Sequence, residues 1–478
     1  MINESGAQSD SPRVAVAVLA AGYGKRMVSQ TPKHLHPVGG TPLVERIIRA
    51  GLAISPSRLL AVVSPGMVDL PVQLGMEGQF ETVVQHPPNG TAGAVLTALR
   101  EMDGVEYVIS LLGDNPLLTG DIIQELLDGA MVSGTKVTVL TCILPDAQSY
   151  GRIDRDGRDR PFRIVEAKND DPRHRAGETE INSGIMVLRA DWAREALDRL
   201  QVDATTGEFL LTDLVQMAAE EHCSGDVWPI TTVTAPREVS LGVNNRVQQE
   251  EADSVVRQRT RERLMLAGVS MIGAETIFID EQVEIGSDTL ILPGTVITGA
   301  TTIGHGCRIG PHAVIHEATI GNNVTIQSST IENSTMRDGS DAGPYARIRG
   351  GSVIGEGVHI GNFAELKNTT MGADSRSGHM SYLGDATVGA AVNIGAGTIT
   401  ANYDGVNKNR TTLADNVFVG CDTVFIAPVT VQEGAKTGAG SVVNRDVPAN
   451  TTVVGVPARP IVKRMTSSPD GAEHGQGE

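Results

Sequence analysis

Two periodicities divide the chain. From Val14 to about Asn245, short apolar runs alternate with longer amphipathic ones. Beyond Gly268, an aliphatic residue followed by glycine recurs in steps of six. In the first half, Val14-Ala15-Val16-Ala17-Val18 is a continuous apolar run, the pattern of a strand buried on both faces. Residues 59–63, 108–112 and 136–140 repeat it, and residues 91–100 and 121–131 carry helical spacing between such runs. Strands alternating with helices predict a Rossmann-like α/β domain with a mostly parallel sheet over residues 13–246. Residues 247–267, rich in Gln, Glu and Arg with few breakers, predict one long bridging helix.

In the second half, Ile285-Gly286, Ile303-Gly304 and Ile309-Gly310 share one hexapeptide phase. The pattern returns at Ile354-Gly355, Ile360-Gly361, Val388-Gly389 and Ile394-Gly395. Such a repeat predicts a parallel β-helix over residues 268–464, with three short strands per coil and the aliphatic residue pointing inward. The phase slips near Ile320 and over residues 336–342, where short excursions from the coil are expected.

Composition narrows the function. The chain has 39 Lys+Arg against 57 Asp+Glu, a net charge of −18, so it lacks the cationic excess of a nucleic-acid binder. Cys142, Cys223, Cys307 and Cys421 form no C-x-x-C pair, which predicts reduced thiols in a cytoplasmic protein. The first apolar run is too short to span a bilayer, and no secretory pattern precedes it. The polar ends, residues 1–12 and 465–478, are expected to be disordered.

Several residues break the local grammar and can carry chemistry. After the first strand, Leu19-Ala20-Ala21-Gly22-Tyr23-Gly24-Lys25-Arg26 leads to Pro32-Lys33. The glycines allow a tight turn and close approach, and Arg26 and Lys33 suit phosphate oxygens. The bland reading is a glycine turn with solvated cations. Gln85, Gly90 and Thr91 form a loop before a helix that Thr91 can cap, and Gln85 suits a base edge. Asp114, beside Gly113 at a strand's carboxyl end, suits Mg²⁺ held against phosphate, although many Gly-Asp turns are ordinary. In the repeat, Arg347, Arg349, Lys367, His379, Tyr382, Asp385 and the loop Asn402-Tyr403-Asp404-Gly405 depart from the small, apolar pattern. A histidine can take the proton of an attacking amine, and arginine and lysine can hold a sugar phosphate. A lone histidine in a solenoid is more often structural; its company raises the functional reading.

These strings resemble known families. L-A-A-G-x-G-x-R-M with the following P-K is similar to the signature loop of the sugar-nucleotide pyrophosphorylases. The resemblance implies that Leu19, Ala20, Ala21 and Gly22 hold a nucleoside triphosphate, while Arg26 and Lys33 meet its phosphates. Gln85, Gly90 and Thr91 match that family's uracil segment, and Asp114 its metal aspartate. Tyr150-Gly151-Arg152-Ile153 looks like its Y-G-R-I turn, which places Gly151 near the nucleotide. Glu166 and Asn182 stand where it binds sugar hydroxyls. Gly242-Val243-Asn244-Asn245 matches its G-V-N-N, in which Asn244 completes the metal site, with Asn245 as the off-by-one alternative. Residues 208–213 resemble its substrate loop, with Phe209 and Leu210 where tyrosine is common.

Over its whole ordered length the chain resembles the bifunctional bacterial N-acetylglucosamine-1-phosphate uridylyltransferase / glucosamine-1-phosphate N-acetyltransferase family. That implies an α/β nucleotidyltransferase domain followed by a left-handed parallel β-helix, a homotrimer, and UTP, acetyl-CoA and amino-sugar 1-phosphates as substrates with Mg²⁺. It further implies His379 as base and Arg347, Lys367, Tyr382 and Asn393 on the amino-sugar phosphate. Ala396, Asn402, Tyr403, Cys421 and Ala439 then lie along acetyl-CoA, and Asp385 is a neighbour suited to orient His379. Three positions depart from the family: Cys421 replaces a common serine, Leu112 a common tyrosine, and no arginine precedes Val456-Pro457, where Arg459 is the nearest substitute. The alternatives are a single-activity sugar-1-phosphate nucleotidyltransferase with a structural β-helix, a non-enzymatic trimeric scaffold, and a β-helix zinc enzyme using His305, His312 and His316.

Overall fold

A computed structural model describes residues 12–22, 24–147, 149–169, 177–203, 207–222 and 227–461. The expected disordered ends, with Tyr23 and Cys223, lie outside those residues, apart from residue 12. The chain divides into two compact units, residues 1–256 and 257–478.

The first unit runs β1 (Val14–Ala20), the hairpin β2 (Pro37–Val38) and β3 (Thr41–Pro42), α1 (Leu43–Ala53), β4 (Arg58–Val63), α2 (Leu70–Gln73), β5 (Glu81–Val84) and α3 (Thr91–Leu99). It continues with β6 (Tyr107–Leu112), α4 (Gly120–Ser133), β7 (Val137–Leu144), β8 (Arg152–Arg155), β9 (Pro161–Val165) and β10 (Thr179–Arg189). Then come α5 (Ala190–Arg199), α6 (Asp213–Glu220), β11 (Ile230–Ala235) and α7 (Arg246–Leu266). The sheet order is β11-β7-β10-β6-β1-β4-β5, with β8 paired to β10 and β9 to β8. Burial on both faces explains the unbroken apolar runs: Val16, Val18 and Ala20 enter one core with α1 and α4, and Ala15, Ala17 and Leu19 the other with α3, α5 and α6. The sheet is mostly parallel, but β10 is antiparallel to both β6 and β7 and shifts register between Asn182 and Met186.

In the second unit, strands of two to four residues stack into three parallel sheets of 12, 10 and 9 strands, apart from one antiparallel terminal pair. This is the expected left-handed parallel β-helix. Its inward aliphatic residues, among them Ile285, Ile303, Ile320, Met336, Ile354, Met371, Val388, Leu413 and Val431, form one buried column of the core. The excursions expected near Ile320 and residues 336–342 do not occur. The strands stay paired there, Ile303 with Ile320 and Ile320 with Met336. The coil shortens at its corners instead, where Glu317, Ser328 and Asn333 take φ of 49°, 42° and 47°. Among the described residues, one long departure is where expected: the loop between Ala401 and Thr411 leaves the stack, and Val388 still pairs with Leu413.

The long helix expected over residues 247–267 is present as α7. Its Ala252 and Val256 pack with Met27, Val38 and Leu43 in the first unit, and its Leu264 enters the solenoid core.

Candidate active sites

In the first unit, the turn after β1 brings distant residues together. Leu19, Ala20 and Ala21 are buried and Gly22 is exposed. Gly24 has φ 59°, and a Cβ there would collide with the Lys33 side chain, so this position needs glycine on both counts. The buried Lys33 donates from Nζ to the Asp114 carboxylate and, at 2.9 Å, to Asn244 Oδ1. Arg26 Nη2 donates to the same Asn244 oxygen at 2.9 Å. The backbone sets this meeting, because the Val243 N–H donates to the Asp114 carbonyl at 2.8 Å. At the same turn, Asn245 Oδ1 accepts from the Gln248 N–H at 3.0 Å as the cap of α7, while Asn244 faces the two cations.

Beneath this cluster lies His34, a buried histidine that the sequence reading passed over. Burial lowers its pKa to about 4, against the opposing pull of Asp114 and with a further push from Lys33. It is therefore neutral at ordinary pH.

Gln85, Gly90 and Thr91, the residues of the expected base loop, lie together before α3, but their hydrogen bonds differ from those expected. Thr91 does not cap α3; Gly90, with φ 101°, holds the cap position. Thr91 Oγ1 instead accepts from the Leu211 N–H at 3.3 Å. Phe209 N–H donates to Asn89 O at 2.9 Å and Ala92 N–H to Phe209 O at 3.2 Å. The base loop and residues 208–212 are thus laced together. Gln85 is buried, and its Nε2 donates to Asn89 Oδ1 and Gly90 O at 2.6 and 3.1 Å, which closes the loop.

Beside the loop is a pocket of about 180 Å³ lined by Thr91, Leu112, Glu166, Asn182, Leu210 and Thr212, among others. Asn182 Oδ1 accepts from the Gly184 N–H at 2.9 Å within the β10 register shift, and Asn182 N–H bonds Gly151 O at 2.8 Å. Such a bulge re-aims side chains beside a site. Thr212 Oγ1 donates to Glu166 Oε1 at 3.0 Å. Gly151, Glu166 and Asn182 therefore do come together.

In the second unit, register assembles the site. Ser377, Ile394, Val419 and Thr437 pair in succession, so two residues further on His379, Ala396, Cys421 and Ala439 share one column at a corner. His379 and Cys421 are exposed. On the adjoining second sheet, Arg347 pairs with Glu365 and then Tyr382, while Arg349 pairs with Lys367 and then Gly384. Arg347 reaches Glu332 at 3.3 Å, and Arg349 reaches Glu365 at 2.7 Å. Tyr382, Glu365, Phe363 and Met380 line a groove of about 340 Å³. Asn393 is not on this face. It lies on the outer side of the first sheet, between Arg376 and Phe418. Asp385 does not serve His379 as expected: its carboxylate accepts from the amides of Asn368, at 2.6 Å, and Asn402. Burial opposes its charge, yet those amides, Lys367 and Lys408 hold it below the usual carboxylate range. The zinc alternative finds no support, since no cluster of three or more His, Cys, Asp or Glu fit for a metal exists among the described residues. His316 instead pairs with Thr298 at 3.0 Å.

Residues 16–144 match the MobA-like NTP transferase domain model, and residues 274–371 match the GMPPB C-terminal domain model. Among curated relatives, a bifunctional protein GlmU from a Geobacillus strain is 41% identical over 91% of this chain and 93% of its own length. Proteins of the same name from a Nostoc and an Exiguobacterium strain are 40% and 38% identical, over 92% and 91% of this chain and 96% of their own lengths. The chain belongs to the GlmU family.

Within the GlmU frame, two residues were missed from sequence. Lys408, in the loop after Tyr403, faces Lys367 closely enough that this neighbour lowers its pKa. The loop's antiparallel bridge from Tyr403 to Lys408 puts it there, and no spacing rule reveals that. Thr212 lies within residues 208–213, and its bond to Glu166 depends on the fold rather than on that motif. Two of the departures have local explanations, and nothing in the structure explains Cys421. Leu112 fills the space opposite Gly184, where a Cβ would meet its Cδ1 at 2.5 Å. The position before Val456 is Gly455 with φ 96°, a conformation that would strain an arginine. Arg459 lies on the exposed terminal strand and donates to Ala458 O at 2.7 Å.

Proposed function

We propose that each unit carries one of two consecutive reactions, with the residues assigned as follows. The chain is a bifunctional enzyme of UDP-N-acetylglucosamine synthesis. On the solenoid, the amine nitrogen of glucosamine-1-phosphate attacks the acetyl-CoA carbonyl, the C–S bond breaks, and CoA leaves as the thiol. His379 takes the proton released by the amine and returns it to the departing sulfur. Arg347, Lys367, Tyr382 and Lys408 hold the sugar phosphate, and Ala396, Asn402, Tyr403, Cys421 and Ala439 border the coenzyme. The observation that carries this half is the alignment of His379 with the Ala396–Cys421–Ala439 column, at the corner that leads into the sheet carrying Lys367, which Lys408 faces.

In the α/β unit, the phosphate of N-acetylglucosamine-1-phosphate attacks the α-phosphorus of UTP, and pyrophosphate leaves. No protein nucleophile is needed. Leu19 to Gly22 approach the nucleotide backbone, and Gly90 and Thr91 border its base. Gly151, Glu166 and Asn182 bind the sugar. Arg26 and Lys33 offset charge on the phosphates. Asp114 and Asn244 fit Mg²⁺: both are hard oxygen donors, two protein ligands suffice when phosphates and water complete the shell, and both already turn an oxygen to the Lys33 ammonium. Bound there, Mg²⁺ would neutralise phosphate charge and align the leaving group.

A homotrimer fits the solenoid. Tyr345 and Phe363 stack at 5.5 Å and continue to Met380 along one column, all three about 60% exposed. Burying them between copies removes a water-exposed apolar ladder, and a neighbouring copy offers a route for Asn393 to join the site. UTP and acetyl-CoA as substrates fit an enzyme of the cytoplasm. No helix among the described residues is long and apolar enough to cross a membrane.

The test is to incubate the purified chain with Mg²⁺, UTP, acetyl-CoA and glucosamine-1-phosphate, following CoA and pyrophosphate separately. Release of both, with pyrophosphate depending on acetyl-CoA, is expected. Pyrophosphate without CoA would leave a single-activity nucleotidyltransferase.

A further inference from the structure

The Asn244 turn has a support that none of the roles above uses. Asn245 caps α7, and a standard capping box would return the side chain of the third helical residue to the cap's own N–H. Here the third residue is Gln248, and its Oε1 accepts from the N–H of Asn244 instead, at 2.9 Å. The cap and the bond to Asn244 therefore lock one turn from both sides. The same helix holds the other half of the cluster. Arg246 meets His36 Nδ1 at 3.1 Å, Gln249 Nε2 donates to Pro37 O at 2.8 Å, and Asp253 Oδ1 accepts from Gly39 N–H at 2.7 Å. Those contacts fix the segment directly after Lys33. Gly39 is itself pressed against Val256, with φ 60° and no room for a Cβ.

We infer that Gln248 is a positioning residue for the metal site: by fixing the Asn244 backbone it aims Oδ1 at the point where Asp114 and Lys33 converge. This rests on the metal role proposed for Asn244. Groups that orient metal ligands commonly change metal affinity by about 10–100-fold when removed.

The probe is Mn²⁺, titrated into the full-length protein with UTP and no sugar acceptor, and read by water-proton relaxation enhancement. Gln248→Leu should need about 10–100-fold more Mn²⁺ for half of the enhancement. Gln248→Glu keeps the acceptor oxygen and should stay within about 3-fold of the parent. Asn245→Ala removes the cap but leaves the Gln248–Asn244 bond, so it should lower the thermal midpoint and leave Mn²⁺ affinity near the parent's. The inference is overturned if Gln248→Leu binds Mn²⁺ like the parent while Asn244→Ala does not. It is also overturned if Asn245→Ala weakens Mn²⁺ as much as Gln248→Leu. If Asn244→Ala itself binds normally, the metal assignment of Asn244 fails first, and the two failures are thereby told apart.

Discussion

The two units build sites by opposite means. The α/β unit gathers residues far apart in sequence: Lys33 meets Asp114 across 81 positions and Asn244 across 211. Loop ends at one edge of a sheet do this, and each contact depends on several elements being in place at once. The solenoid gathers residues one coil apart, through register alone, so that His379, Ala396, Cys421 and Ala439 fall into line. A column of this kind needs only its neighbours. The first design can place a carboxylate, an amide and an ammonium at a point. The second gives a linear surface suited to an extended molecule such as a coenzyme.

The sharpest way to break this comparison is at the acid–base step. His379→Ala should lower CoA release by about 10²–10⁴-fold, while pyrophosphate release from supplied N-acetylglucosamine-1-phosphate stays near the parent rate. Loss of both activities in a folded protein would mean that the sites are not separate. Next, Asp114→Asn should reduce pyrophosphate release by about 10²-fold without changing CoA release, as expected for a group on the phosphate charge.

A third effect concerns stability. The folded pKa of His34, about 4, lies below the unfolded value of 6.5, so between these values the unfolded chain binds more protons. The first unit should therefore lose stability as pH falls from about 6.5 towards 4, by at most about 3 kcal/mol. His34→Leu should flatten the pH dependence of its urea midpoint; an unchanged slope would show that the proton goes elsewhere. The solenoid's midpoint gives the comparison within the same chain.

Two smaller changes sharpen the picture. Lys408→Met should raise the KM for glucosamine-1-phosphate about tenfold, within the range of a charge-assisted contact, with little effect on acetyl-CoA. Thr212→Val removes the donor to Glu166 and should raise the KM for N-acetylglucosamine-1-phosphate a few-fold, about 1 kcal/mol. Equal effects on both substrates in either variant would point to general loosening.

This contrast also explains what the sequence made legible. The apolar runs gave the strands of the first unit because burial on both faces leaves no other pattern, and the hexads gave the solenoid. Lys33, Asp114 and Asn244 could be named from their motifs, but their meeting required the fold. The antiparallel placement of β10, and Gly90 rather than Thr91 at the α3 cap, depend on tertiary pairing that local spacing does not encode. Shortened corners hid as phase slips, because a residue lost at a turn and an excursion look alike in a string of letters. Lys408 escaped notice because only the folded loop turns it back towards Lys367.

The most direct measurement crosses the two sites. His379→Ala and Asp114→Asn would each be assayed for CoA from glucosamine-1-phosphate and for pyrophosphate from supplied N-acetylglucosamine-1-phosphate, then mixed and supplied with glucosamine-1-phosphate, acetyl-CoA, UTP and Mg²⁺. Two independent sites predict that each variant loses one product only and that the mixture restores formation of UDP-N-acetylglucosamine. Failure of the mixture, with each variant folded and retaining its own half-reaction, would contradict the account.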